Sequence, residues 1–313
     1  VETARERSPA TKREHITGHA FTLVQLRYFA AAAEEGTMTG ASKVLMVSQS
    51  AISTAVAQLE HELGVQLFVR HHARGLTLTT AGEDFLREVR PFLAHAADLE
   101  DSTRGVGRAV VGDLVVGCFA TLAPFRLPRA IAAFEERYSR ARVRVIEGQH
   151  AQLKDSLREG RCEVALMYGY DVDDLHHAVI DSLDPYVIVP TDHRLAGRGS
   201  VSLEELVEEP MVLLDLPHTR DYFLSLFRAR GLSEPTVRFR SPGFETVRSM
   251  VAHGQGFALL NQRPANDLTY DGAAVTAVQL SDDIRPLDIV VAWSGATRRT
   301  RRAQAFIDLM RHG

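Results

Sequence analysis

Between Gly36 and Leu63 two short helical patterns stand almost end to end, and this spacing limits the chain to few folds. The first pattern has Ala41, Val44 and Leu45 as its apolar face. The second has Ile52, Val56, Leu59 and Leu63 at spacings of four, three and four. Ser48 is suited to cap the second helix. Ser48, Gln49, Ser50, Ser53 and Thr54 give its start small polar side chains. Slim groups that donate and accept hydrogen bonds are what a helix needs to enter a major groove by its N-terminal end. Taken alone, the stretch also fits an ordinary two-helix corner with solvated serines.

The residues that follow favour the first reading. Gly64 closes the second helix. Leu67 to Arg70 and the alternating Leu76-Thr77-Leu78-Thr79 suggest a short strand pair, a wing with Arg70, His71, His72 and Arg74 near its tip.

Five pieces carry a family resemblance: Leu26-Arg27-Tyr28-Phe29, Ser48-Gln49-Ser50-Ala51-Ile52-Ser53, Leu59-Glu60-His61-Glu62-Leu63-Gly64, Leu67-Phe68-Val69-Arg70 and Leu78-Thr79-Thr80-Ala81-Gly82. In this order and spacing, residues 21–82 resemble the winged helix-turn-helix of LysR-type bacterial transcriptional regulators. The resemblance implies a DNA-binding domain over 21–81 with Ser48, Gln49, Ser50, Ser53, Thr54, Arg70 and Arg74 as its contacts. The family often has Arg where this chain has Thr54, so Arg70 and Arg74 are expected to carry more of the backbone contact.

The 313 residues suffice for two or three domains. At 45% apolar and 24% charged the composition is that of a soluble globular chain. No apolar run reaches the roughly 18 residues of a membrane span. With no secretory signal pattern either, the expected place is the cytoplasm. Residues 1–20 are polar and aperiodic and read as a flexible tail. Between Phe21 and Gly82 four bases (Arg27, Lys43, Arg70, Arg74) balance four acids (Glu34, Glu35, Glu60, Glu62). Affinity for phosphates is therefore expected to be modest and salt-dependent, with hydroxyls, helix N-termini and dimerisation supplying the rest. The net charge of −4 does not exclude DNA.

Residues 82–108 form a linker. Phe85, Val89, Phe92, Ala96 and Leu99 recur at the spacing of a coiled-coil seam, which asks for a partner, most simply the same helix of a second copy. Packing on the chain's own body is the alternative. Pro91 costs a helix about 3 kcal/mol, and a kink is expected there. Gly105, Gly107 and Gly112 then mark a hinge.

From residue 109 strands and helices alternate, which predicts parallel α/β layers. Strands are expected at Val110-Val111 with Leu114–Val116, and at Val143–Ile146, Val164–Tyr168, Pro185–Pro190, Met211–Leu214, Thr236–Arg240, Phe257–Leu260 and Ile289–Trp293. Helices are expected at Pro124–Tyr138, Gln149–Glu159, near Leu203–Val207, and at Thr219–Arg230, Phe244–His253 and Arg298–Met310. This portion resembles, more loosely, the effector-binding domain of the same family, itself similar to periplasmic solute-binding proteins. The best pieces are Leu157-Arg158-Glu159-Gly160, Pro190-Thr191-Asp192-His193-Arg194-Leu195 and Met250 to Leu260. The resemblance implies a two-lobed domain over 109–313, with one lobe of about 109–181 and 283–313 and the other of about 182–282.

Ligands in open α/β sheets sit beyond the carboxyl ends of strands. That rule selects Thr121, before a helix start, where a hydroxyl beside free N–H groups suits a carboxylate. Gln149, Tyr168, His218, Thr219, Phe244, Thr246 and Asn261 lie at other strand exits or helix starts. His218 and Arg263 are the cationic candidates. Other chemistry fares poorly. There is no nucleophile elbow, phosphate loop or dinucleotide fingerprint. No metal or cofactor is expected, and Cys118 and Cys162, on or beside strand patterns, fit buried thiols. The Arg298, Arg299, Arg301, Arg302 cluster reads as a solvated helix start.

The expected protein is a mixed chain: a mainly α winged helix-turn-helix, a long linker helix and a two-lobed α/β domain. Its partners are double-stranded operator DNA, a small-molecule effector (a carboxylate among the candidates) and copies of itself, a dimer of dimers by family resemblance. It is expected to be no enzyme. The effector would shift DNA bending or assembly. The rival readings are a solute-binding or enzymatic α/β domain with an incidental helical extension, and a DNA-bending protein with a vestigial pocket.

Overall fold

The computed structural model describes residues 21–71, 75–103, 110–295 and 298–312. Arg74, His72 and residues 1–20 lie outside them. The chain forms two compact units, one ending at Val89 and one starting at Arg90.

In the first unit three helices, α1 (Leu23–Glu35), α2 (Met38–Leu45) and α3 (Gln49–Leu63), precede a hairpin of β1 (Phe68–His71) and β2 (Gly75–Leu78). Each helix start is capped locally. Thr22 Oγ1 accepts from Gln25 N, Thr37 Oγ1 from Gly40 N and Ser48 Oγ from Ala51 N. Gly64, at φ 69°, ends α3. Ile52, Val56 and Leu59 are fully buried with Phe29, Leu26 and Ala41. Val44 departs from its expected place: it is exposed, and Met38 fills the inward position of α2 with Ala41. A helix of two turns buries one narrow stripe, and 38, 41 and 45 form it better than 44. The wing is pinned by Leu76 N donating to Gly36 O at 2.7 Å. There Gly75 has φ +86°, and a Cβ would stand 2.5 Å from Gly36 O, so no other residue fits without rearrangement.

Helix α4 (Thr80–Thr103) runs through Pro91 as one element. The expected seam divides along it. Phe85 packs on Phe21 and Phe29, with ring centroids 6.1 and 5.3 Å away, and Val89 and Leu86 are buried. Phe85 and Val89 are thus core residues of the first unit, because a three-helix unit this small needs a further helix to cover Phe29. Ala96 is half-buried, while Phe92 and Leu99 are exposed.

The second unit holds two main sheets. One has the order β4-β3-β5-β13-β6, from β3 (Gly112–Phe119), β4 (Ala141–Gly148), β5 (Val164–Tyr168), β6 (His176–Leu183) and β13 (Leu287–Trp293). Helices α5 (Ala123–Arg137), α6 (His150–Arg158) and α9 (Arg301–His312) accompany it, with Phe134 of α5 against Phe306 of α9 at 5.5 Å. The other has the order β11-β7-β12-β8, from β7 (Tyr186–Pro190), β8 (Ser200–Val201), β11 (Ala258–Leu260) and β12 (Val275–Leu280). Beside it β9 (Met211–Leu214) pairs with β10 (Val237–Ser241), and α7 (Thr219–Arg228) and α8 (Phe244–Ala252) follow these strands. A single 3-10 turn, Glu204–Leu206, replaces the helix expected near Leu203.

The layers are mixed rather than parallel. β3 pairs in parallel with β4 and β5, but β13 is antiparallel to β5 and β6, and β7 is antiparallel to β11 and β12. The chain leaves the first sheet after β6 and re-enters it at β13, so the returning strand runs the other way. Strands β6, β8 and β12 were not expected. β6 is a half-exposed edge of mixed polarity, and β12 lies in a stretch rich in Gly, Asp and Ala.

Candidate DNA-reading helix and effector cleft

On α3, Ser50, Thr54, Ala57 and His61 are exposed at spacings of four, three and four, opposite the buried Ile52, Val56 and Leu59. Gln49 and Ser48 are exposed at the helix start, and Ser53 is half-buried at the edge of the stripe. Ser48 Oγ and Ser50 Oγ lie 3.0 Å apart, so the capping hydroxyl is shared with the neighbour that projects outward. The first turns of this face, Ser50, Thr54 and Ala57, are small, so they can approach a base edge closely. Ala57, Gln58 and His61 belong to this face and were missed. Their signal was the helical period continued beyond the first turn. Arg70, on β1, is less free than expected. Its Nη2 lies 3.9 Å from Glu60 Oε2, while Glu60 Oε1 accepts from Leu67 N and Phe68 N. Glu60 therefore buttresses the strand and tempers the nearest described arginine.

In the second unit the ends of β3, β5, β9 and β11 and the starts of α5, α7 and α8 enclose a narrow cleft of about 10 Å³, room for roughly one water. Ligand pockets run to roughly 300–1,000 Å³, so a small molecule enters only as these elements part. Five expected residues line it: Thr121, Tyr168, Thr219, Phe244 and Asn261. Thr121 Oγ1 and Tyr168 Oη share a hydrogen bond of 3.1 Å. Asn261 Nδ2 donates to Tyr222 Oη at 3.5 Å. Three expected residues do not line it. Gln149 caps α6, its N–H donating to Gln152 Oε1 at 2.9 Å. Thr246 points to solvent from α8. His218 is exposed and stacks on Tyr170, centroids 5.3 Å apart at 26°.

His218 has φ 64° and ψ −40°, and Thr219 N donates to Pro217 O at 2.8 Å across it. This is the rare γ-turn with positive φ at its centre, a strained link. The strain turns Thr219 inward at the start of α7. Arg263, the other cationic candidate, stacks over Tyr186 at 5.9 Å and does not line the cleft.

Tyr170, Tyr222, Phe223 and Gln262 were missed and complete the wall with Leu214, Leu260 and Leu287. Behind Tyr170 the buried His150 stacks on it at 4.7 Å, and its Nε2–H donates to Tyr168 O at 3.2 Å. Burial lowers the His150 pKa and keeps the ring neutral. Burial also raises the phenols of Tyr168, Tyr170 and Tyr222, so all three keep their protons. A wider groove, which shares Tyr170, Tyr222 and Leu287 with the cleft, runs out past Arg230 and Arg285.

Arg302 corrects another expectation. It is buried rather than solvated. Its Nε donates to Glu163 Oε1 at 2.8 Å and its Nη1 to Asp98 Oδ1 at 3.4 Å.

Comparison with known proteins places these features. Residues 23–83 match the sequence model of the bacterial regulatory helix-turn-helix protein, lysR family, and residues 107–313 match that of the LysR substrate binding domain. A probable hydrogen peroxide-inducible genes activator of Streptomyces viridosporus is 32% identical over 76% of this chain and 77% of its own length. The crystal structure of HinK, a LysR family transcriptional regulator from Pseudomonas aeruginosa, is 38% identical, with a TM-score of 0.63 over 93% of this chain and 98% of that one. Full-length OxyR from Pseudomonas aeruginosa is 25% identical, with a TM-score of 0.72 over the same shares.

Proposed function

The chain belongs to the LysR family of transcriptional regulators, and from that premise we propose that it reads its operator with the exposed start of α3 and answers to a small molecule held in the cleft between Thr121 and Asn261. It is a DNA-binding regulator with a substrate-binding effector domain. The observation that carries the assignment of roles is the convergence of Thr121, Tyr168, Thr219, Phe244 and Asn261, from five separate segments, on one cleft. A shape built from that many segments changes when a ligand enters and parts them.

The remaining roles follow from this reading. Two copies present paired α3 helices to successive major grooves, about 34–36 Å or a multiple apart. Exposed Phe92 of α4 supports pairing through the linker helix, and the family pattern of a dimer of dimers extends it. The protein works in the cytoplasm, where its DNA is, and none of its described helices is long and apolar enough to cross a membrane. Its role is regulation, and the cleft wall offers hydroxyls, amides and aromatic rings, groups suited to holding a ligand.

The test is binding of the full chain to the duplex upstream of its own gene and to a shuffled duplex, by fluorescence anisotropy at two salt concentrations. Preference for the first by roughly 10³ or more, reduced to the shuffled level by Gln49→Ala/Thr54→Ala, is the expected result. Equal binding of both duplexes by the wild type would remove the operator-reading role from α3.

A further inference from the structure

Resting on the effector reading of the same cleft, we infer that the ligand part held there is an uncharged aromatic ring bearing a carbonyl acceptor, of the aryl amide or aryl ketone class. The wall is lined by the rings of Tyr168, Tyr170, Tyr222, Phe223 and Phe244, with Tyr168 and Tyr170 near-parallel at 22° and 5.8 Å. A narrow cleft with aromatic walls favours a thin, flat guest, which enters as the walls part.

Charge on that guest is disfavoured. None of the residues that line the cleft is Asp, Glu, Lys, Arg or His. Two nearby cations are already paired, Arg126 with Asp181 and Arg220 with Asp215 and Asp221, while Arg263 lies over the Tyr186 ring. The two helix starts offer less to an anion than their positions suggest. In the first turn of α5, Pro124 has no N–H and Phe125 N donates to Leu122 O, which leaves at most that of Ala123. In α7, Thr219 N donates to Pro217 O and Arg220 N to Leu216 O, which leaves at most that of Asp221, itself an acid. An anion enclosed here would lose its water without a counter-charge.

The acceptor is called for by Gln262. The residue is 4% exposed and lines the cleft, and its Nε2 is buried outside hydrogen-bond geometry although the Tyr168 side chain is beside it. A buried amide donor left unmade is costly, and a carbonyl oxygen satisfies it. The Tyr170 hydroxyl, also buried and outside hydrogen-bond geometry although the Thr219 side chain is beside it, supplies a second donor.

The test uses the full chain and three probes: benzamide, benzoate and cyclohexanecarboxamide, followed by calorimetry and thermal shift. Benzamide should bind roughly tenfold more tightly than either other probe. Gln262→Met, which keeps the side-chain length, should weaken benzamide about fivefold while leaving the unliganded melting temperature near that of the wild type. Tighter binding of benzoate, or no saturable binding of benzamide, overturns the ligand class. If benzoate binds and Thr121→Val weakens it, the cleft survives as the effector site. If binding of every probe ignores both substitutions, the cleft reading falls as well.

Discussion

Asp98, in the second half of α4, and Arg302, at the start of α9, meet at 3.4 Å in a half-buried ion pair, and Glu163 takes the other side of the same guanidinium at 2.8 Å. Asp98 also accepts from Arg301 N at 2.9 Å, and Glu163 from the Thr300 hydroxyl. Glu163 directly precedes β5, whose last residue is Tyr168 of the cleft. One buried strand, roughly 17 Å long, therefore joins the anchor of the linker helix to the ligand wall. A shift of Tyr168 on ligand binding has a stiff route to α4.

Arg302→Ala should destabilise the chain by about 3 kcal/mol, because it leaves two largely buried carboxylates facing each other without a cation. Urea unfolding measures this, and Asp98→Asn in the same background should recover part of the loss. A cost below about 1 kcal/mol would mean that the three side chains are screened by solvent after all.

His150 predicts a pH dependence with a definite sign. Burial lowers its pKa from the ordinary 6.5, against the opposing effect of its bond to Tyr168 O. The unfolded chain then takes up the proton more readily than the folded one. Stability is full above pH 6.5 and is lost as the pH falls from 6.5 towards the lower folded value. The Asp174 carboxyl, held down at about 2 chiefly by Lys154, acts in a separate window below its ordinary 3.8. Melting temperatures between about pH 5 and 7 should fall on acidification in the wild type and fall less in His150→Gln. Parallel curves would show that another group sets the slope.

The local parts of this fold are legible in the sequence. Ser48, Gly64 and the 52-56-59 stripe act within one turn of themselves, so the helix pair needs no tertiary knowledge. Thr121 and Tyr168 follow from strand exits. What stayed hidden depends on distant segments. Phe85 reads as a seam residue until Phe29 is seen beneath it. Arg302 reads as solvated until Asp98 and Glu163 close on it. Tyr170, Tyr222 and Gln262 carry no local mark, because a turn, a helix face and a strand exit from different parts of the chain bring them to one wall.

Thr54 offers a gain-of-affinity test. It is exposed on the α3 stripe. Thr54→Arg should tighten binding to any duplex at low salt and steepen the slope of log K against log salt by about 0.9, one more phosphate neutralised. Discrimination between operator and shuffled DNA should fall, since the added contact reads no sequence. An unchanged slope would mean that this face does not reach the backbone.

The cysteines separate this chain from what its relatives' names suggest. The Streptomyces viridosporus relative is named for peroxide-inducible genes, and peroxide attacks a thiolate. The two cysteines here, Cys118 in β3 and Cys162 just before β5, are both buried. Burial raises both thiols, Cys162 to about 12, so neither forms an appreciable thiolate at neutral pH. Exposure and a lowered pKa, the two marks of a redox sensor, are both missing from them. Native protein should therefore react slowly with a thiol reagent such as Ellman's reagent and release two equivalents only on unfolding. Submillimolar peroxide should leave operator binding unchanged, and Cys118→Ala/Cys162→Ala should bind with wild-type affinity before and after peroxide. A peroxide response abolished by that double substitution would show that the sheet opens enough to ionise a thiol, and would make oxidation a second input beside the cleft.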